Sequence, residues 1–305
     1  MNLDYYLYLL GYPNMPNFLI KYLETPSLTR LKKVGYFCGM NYASKDIYNF
    51  STYISRYTHS LTTALLTYKL SNSIEPTLAG LFHDISTPCF SHVIDYMNKD
   101  YANQESTEEY TGEILRKDSY LQECLLQDNI SIKDIINFKK YNLVDNNRPK
   151  LCADRLDGII LNSIGWTKNI TKEDIKNILN SLDIYINEDN EREIGFTNIE
   201  IANKVLYISD TIDKYCHSNE DNYMMELLAK ITKLALDRHY ITYNDLYYLN
   251  EEYLFKLLFS IDDKLLQDYL LDFTTKKKID IPITKLPNLK PRVLNPLVKS
   301  KRMRR

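Results

Sequence analysis

Glycine is what this chain can least supply, with 8 residues in 305 where about 7% is ordinary. Backbone at positive φ, the geometry of tight turns and phosphate-cradling loops, leans on glycine because it carries no Cβ. A Gly-rich all-β fold is therefore not expected. Neither GxGxxG nor GxxxxGK[ST] occurs, so neither a dinucleotide fold nor a P-loop is expected either. What the chain does supply is helical spacing. Leu61, Ala64, Leu65 and Tyr68 share one face, Pro76 opens a segment running through Leu78, Leu81, Phe82 and Ile85, and Leu151, Leu156, Ile159 and Ile160 repeat the interval. Residues 199–216, 222–240 and 244–261 read the same way. One stretch, 183–196, places two β-prone runs about a polar turn and predicts a small hairpin.

Hydrophobic residues make up 44% of the chain, enough for a buried core and too many for disorder. The 38 basic and 40 acidic residues leave a formal charge of −2, so no global field invites nucleic acid. Only the end is basic: KSKRMRR, after Pro282, Pro287, Pro291 and Pro296, reads as a solvated tail. Five cysteines, odd in number and without CxxC, fit a reducing cytoplasm better than a disulfide framework or zinc ribbon. No apolar run approaches the roughly 18 residues that a membrane span needs, and the N-terminus has no signal-peptide pattern. The expectation is a cytoplasmic protein without a membrane partner.

Two stretches stand out against this helical background. His59 lies in RYTHSLTTAL, and His83 lies in LAGLFHDIS with Asp84 directly after it. Buried imidazoles and carboxylates are costly unless they are paired or bound to a metal. Asp154, in CADRLD, is the carboxylate best placed to join them from a third helix. Adjacent helical residues point about 100° apart, so His83 and Asp84 reach one ion only from a groove between their directions. Two imidazoles and two carboxylates suit Mn²⁺, Fe²⁺, Ni²⁺ or Zn²⁺, with Mg²⁺ as a further candidate, and leave positions open for water. A helical core with hydrogen-bonded histidines fits the same spacing.

The residues themselves favour the metal. RYTHS, LAGLFHDISTPCFSHVID and ADRLD resemble the HD-domain metal-dependent phosphohydrolases, and within them the deoxynucleoside triphosphate triphosphohydrolase branch. That branch shows R-F-x-H-S, H-D-x-G-H-x-P-F-S-H-x-x-D and D-x-x-D-Y. ETPSLTRLKKVG, YCHSNEDNYMMELL, ITYNDLYYLNEEYLFKLL and KPRVLNPLV extend the likeness over about residues 20–297. The resemblance implies an all-α HD-domain helical bundle with an additional C-terminal helical region. Residues 1–165 would hold the N-terminal helices and metal-binding core, 166–285 the helices packed on it, and 286–305 the Pro-punctuated tail. It implies His59, His83, Asp84 and Asp154 as metal ligands and Arg56 and Arg155 as phosphate contacts, Arg56 serving catalysis as well. Asp95 takes the place of an Asp that orients catalytic histidines in relatives, and Glu105 is a further candidate for proton transfer. Tyr36, Tyr215 and His217 fall at substrate-binding positions. Relatives associate through helices, so a homo-oligomer is a candidate assembly. Guanidinium forks suit phosphate oxygens in any fold; the plainer reading of each Arg is a salt bridge, to Asp157 for example.

Departures from the pattern concern substrate and protons. Where the family has Gly-His after the His-Asp pair, Ser86 and Thr87 stand, and Gln104 replaces a second catalytic His before Glu105. The family's Gln-Leu-Gly reads Tyr36-Phe37-Cys38, its Tyr after the last D-x-x-D is Gly158, and a later Asp is Asn162. Ser218 and Tyr207 stand at basic positions that would hold a triphosphate. Ligands kept and clamp lost point to a metal-dependent phosphohydrolase acting on a phosphorylated small molecule or nucleotide other than a dNTP. A metal- or nucleotide-binding regulatory module without turnover is the rival, and true dNTP triphosphohydrolysis the third reading. His92 is expected to make a structural hydrogen bond to nearby backbone, and Trp166 to pack between helices.

Overall fold

In the computed structural model, which describes residues 2–102, 110–283 and 288–303, the chain is built around one helix, Arg56–Ser71. Ser55 starts it by accepting the Thr58 amide, and Asn72 ends it in the left-handed conformation, a stop signal that Asn adopts more readily than most residues. Leu61, Ala64, Leu65 and Leu66 are buried along it. Two of its threonines turn their hydroxyls back to helix carbonyls, Thr62 to Thr58 and Thr67 to Thr63. Those two hydroxyls are satisfied within the helix, whereas the buried hydroxyls of Ser60 and Thr63 find no partner among the described residues.

The helices Ile74–Phe82 and Ala153–Asn162 pack against it. Gly80 lets the first of them come close, because a Cβ there would stand 3.3 Å from the Thr67 hydroxyl. The N-terminal helix Asn2–Leu9 lies against Lys172–Ser181. The long helices Ile199–Cys216 and Asn219–Asp237 follow, the second packed on Val93–Met97 and Lys264–Thr275. Sixteen α-helices lie among the described residues, as the spacing predicts. No helix among them is long and apolar enough to cross a membrane.

The hairpin forms where expected. Strand β1 (Leu182–Ile186) pairs antiparallel with β2 (Arg192–Phe196), Leu182 opposite Phe196. The sheet also recruits the chain end: β3 (Leu297–Val298) joins β2 in parallel, and β4 (Lys301–Arg302) closes the order. Here the expected solvated tail needs correction up to residue 303. Arg302 forks onto Glu193, with 2.7 Å to each carboxylate oxygen, and reaches Glu188 as well. Glu193 is fully buried, and it also accepts the Leu151 amide at 3.1 Å. A charge cluster that reads as solvent-seeking in sequence is held because a buried carboxylate needs a cation.

Candidate metal centre

The Arg56–Ser71 helix carries His59 inward, one turn after its cap, and His83 caps the C-terminus of Ile74–Phe82. Each ring has one nitrogen already committed. His59 Nδ1 lies 2.7 Å from Asp157 Oδ2, and His83 Nδ1 lies 2.7 Å from the Gly80 carbonyl. Donation from Nδ1–H in both cases leaves a lone pair on each Nε2. Those two atoms face the same carboxylate oxygen, Asp154 Oδ1, at 2.9 Å from His59 and 3.5 Å from His83. His83 Nε2 is buried and has no hydrogen-bond partner.

Lone pairs converging on a carboxylate repel unless positive charge stands between them. Burial disfavours a protonated His59, yet its hydrogen bonds to Asp154 and Asp157 overcome that and raise it to about 10. Burial likewise would raise the Asp154 carboxyl, but His59 and His83 hold it well below the usual range. The cluster therefore favours positive charge between these groups, as a proton on His59 or as a metal ion in its place. His59, His83 and Asp154 offer ligand atoms all within 4.8 Å of one another, a nitrogen and oxygen donor set that fits a divalent ion of borderline softness. Asp84 stands beside them, 3.7 Å from His59 Nε2 and 3.8 Å from His83 Nε2. Arg56 pins it at 2.8 Å. A second group, Asp145, Cys152 and Asp154, is equally close. Burial pushes the Cys152 thiol up to about 12, which makes it a poor thiolate ligand.

Asp157 is the residue whose part the sequence did not reveal. It does not pair with an arginine. It is fully buried and accepts Tyr6 Oη–H at 2.6 Å and Thr62 Oγ1–H at 2.9 Å besides His59. A carboxylate behind a ligating imidazole fixes its tautomer and ring orientation. The D-x-x-D spacing was the available signal: one helical turn separates Asp154 at the front of His59 from Asp157 behind it. Arg155 turns instead to the loop before it, donating to the Asn146 side chain at 2.8 Å, the Asn146 carbonyl at 2.7 Å and the Lys150 carbonyl.

The cluster opens into a cavity of about 750 Å³. Arg56, Tyr36, Arg155 and His217 line it with the four His and Asp residues. Tyr215 lies outside that lining, with its ring edge-on to Trp166. Glu105 and Gln104 lie outside the described residues. Asp95 is fully buried and stands 2.8 Å from His92 Nδ1. His92 itself lines the cavity, so its hydrogen bond runs to a carboxylate behind it and not to backbone as expected. Trp166 packs against Tyr48 and Phe50, and it also reaches the cavity wall. Tyr36 spreads under the Arg56 guanidinium at 5.0 Å and beside the His59 ring at 5.1 Å. Its hydroxyl occupies the room over Gly158, where a Cβ would come within 3.0 Å of it.

The HD-domain family model matches residues 56–160, the stretch that carries these histidines and aspartates. The chain is a homologue of the HD-domain metal-dependent phosphohydrolases. It is 27% identical over 293 residues to the uncharacterized protein YdhJ of Bacillus subtilis, covering 88% of this chain and 84% of that one. Over 167 residues it is 27% identical to the metal-dependent phosphohydrolase cns2 of Cordyceps militaris, covering 54% of this chain and 48% of the relative.

Proposed function

We propose that this protein hydrolyses a phosphate ester of a small molecule or nucleotide, using a divalent ion held by His59, His83, Asp84 and Asp154. The observation that carries this reading is the buried, partnerless Nε2 of His83 facing Asp154, with His59 Nε2 on the same oxygen. A bound divalent ion supplies Lewis acidity to a phosphoryl oxygen and brings the pKa of water near neutrality. The chain's own residues do the rest. Arg56, with Nη1 committed to Asp84 and Nε to Ser91, keeps a fixed positive charge beside the phosphate as charge develops. His92, with Nδ1 held by Asp95, offers Nε2 to the cavity and can protonate the leaving oxygen. It supplies an imidazole to a site that lacks those expected at Thr87 and Gln104, which is why turnover is favoured over a silent regulatory module.

The cavity volume accommodates a nucleotide, with Tyr36, Phe37 and Trp166 as aromatic wall. The triphosphohydrolase branch is the finer assignment that the sequence motifs suggest. Tyr36 over Gly158 replaces the contacts by which that branch touches sugar and base, so we favour a different ester. The test is metal analysis of the purified protein with a phosphate-release screen in Mn²⁺, Fe²⁺ or Ni²⁺ over phosphomonoesters, nucleotides and cyclic dinucleotides. Release above that of a His83→Ala/Asp84→Ala control is the expected result. Metal-loaded protein that releases no more phosphate than this control overturns the enzymatic reading.

A further inference from the structure

The cavity carries more positive charge than the metal centre needs. Its lining holds six cationic side chains, Arg56, Lys139, Arg148, Arg155, Lys290 and Arg292, against four carboxylates, Asp84, Asp145, Asp154 and Asp221. Two of those carboxylates belong to the proposed ion site. Burial pushes the Asp221 carboxyl up to about 7, against its Tyr48 hydrogen bond and Arg292. With a divalent ion bound, the wall is strongly electropositive. Arg292 lies in the KPRVLNPLV stretch, but the sequence motifs assign no phosphate contact to it or to Lys139, Arg148 or Lys290.

Arg148 and Arg292 come from segments far apart in sequence and meet on the same wall. Arg155 ties down the loop that carries Arg148, through Asn146 and Lys150. Arg148 itself makes one long hydrogen bond, 3.4 Å to the Val293 carbonyl, which leaves most of its fork unused. Arg292 has no hydrogen bond or ion pair with a described residue. Burial lowers the Arg148 pKa to about 10, and the nearby charges of Arg155 and Arg292 push the same way. A half-buried Arg148 beside two other arginines, with most of its fork unused, is unfavourable in the empty protein. It becomes favourable when a multivalent anion bridges it and Arg292.

We propose that Arg148 and Arg292 form a second anion subsite, so that the substrate carries another phosphate group besides the one cleaved at the metal. The inference rests on the phosphohydrolase reading for the role of the first phosphate. It narrows the substrate class from phosphate esters in general to bisphosphorylated small molecules. The two arginines would hold an anion from positions other than those of the clamp missing at Tyr207 and Ser218. Each is a substrate-binding residue, and neither touches the metal donors.

The test is a binding series that requires no turnover. Methylphosphonate and the alkylene bisphosphonates from methylene to butylene resist hydrolysis and differ only in anion number and span. Their affinities for the metal-loaded protein are measured by calorimetry, for wild type, Arg148→Gln and Arg292→Gln. One bisphosphonate should bind at least about tenfold tighter than methylphosphonate, since each charge-assisted contact is among the stronger hydrogen bonds. Either substitution should abolish that advantage and leave methylphosphonate within about twofold. Arg292→Lys should restore part of it. No bisphosphonate advantage in wild type, or an advantage untouched by both substitutions, overturns the subsite. A failure of phosphate release would strike the phosphohydrolase reading alone, because the binding series does not depend on it.

Discussion

Replacing Asp157 tests whether the metal centre is built as its geometry says. Sequence alone makes this carboxylate dispensable, an ion-pair partner for an arginine. In the structure it receives hydrogen bonds of 2.6, 2.7 and 2.9 Å from Tyr6, His59 and Thr62, with no exposure to solvent. Asp157→Asn keeps the volume. The amide can turn its NH₂ toward the Tyr6 hydroxyl, which rotates to accept, and keep its oxygen on His59. What it loses is the negative charge that makes His59 a stronger ligand. Asp157→Ala loses all three acceptors and frees the ring. Changes behind a metal ligand typically cost 10–100-fold in affinity, so about tenfold is expected for Asn and about a hundredfold for Ala, close to 1.4 and 2.8 kcal/mol. Asp154→Ala, which removes a donor, should cost at least as much as the Ala variant of Asp157. Tyr6→Phe should leave metal affinity within about threefold and lower stability by about 1 kcal/mol. Metal content by mass spectrometry and competition with a chelator read the affinities, while thermal unfolding of metal-free protein separates loss of fold from loss of metal. An Asp157→Ala protein that is folded and binds metal within twofold of wild type refutes the reasoning.

His92→Gln should lower kcat by about 10²–10⁴-fold with metal content unchanged, measured on whichever ester the release screen identifies; an unchanged kcat removes His92 from proton transfer. Arg302→Ala leaves Glu193 buried with only the Leu151 amide and Asn187 side chain as donors, so a loss of about 3–5 kcal/mol is expected in urea unfolding, and a loss under 1 kcal/mol would place the cluster's weight elsewhere. Burial pushes the Glu251 carboxyl from 4.5 up to about 7, against its Phe90 and Gly35 amide contacts and Arg56 and Arg30. The folded state then holds a proton that the unfolded state has released, so this residue's contribution to stability falls as pH rises from about 4.5 to 7 and is level beyond. The ceiling is about 3 kcal/mol. Glu251→Gln should flatten the stability profile across that window, and parallel profiles for variant and wild type would refute the assignment.

Much of the architecture was legible because local signals agreed with the global answer. Leu61, Ala64, Leu65 and Tyr68 predict the face of the central helix, and the hairpin at 183–196 needed only β-prone runs about a polar turn. The motif residues His59, His83, Asp84 and Asp154 do meet, although they come from three segments. What sequence could not reveal were pairings across long separations. Asp157 and Asp154 look alike on one helix, and only the approach of Tyr6 and Thr62 distinguishes the buried one from the one that faces the ion. Arg302 reads as a solvated terminal charge until Glu193 is seen to be buried beneath it.

The largest gap between sequence and structure concerns the lost clamp, and it has a physical explanation. A motif assigns a role to a position, whereas a phosphate responds only to charge and geometry in the cavity, whichever segment supplies them. Tyr36 and Gly158 show the principle at one contact. A bulky residue stands where the pattern has Gln, a glycine stands where it has Tyr, and the tyrosine hydroxyl passes into the space that the glycine leaves. Neither change makes sense singly: Tyr36 against a larger residue 158 would collide, and Gly158 beside a smaller residue 36 would open a void. The same logic applies to charge. Tyr207 and Ser218 remove cations at two motif positions, while Arg148 and Arg292 bring cations to the same cavity from elsewhere. Substitutions at motif positions therefore point to a change of substrate when the cavity regains what was lost in another arrangement. They point to loss of function when it does not. His92 on Asp95, Tyr36 over Gly158 and the proposed arginine subsite are the features by which the release screen and the bisphosphonate series would tell the two cases apart.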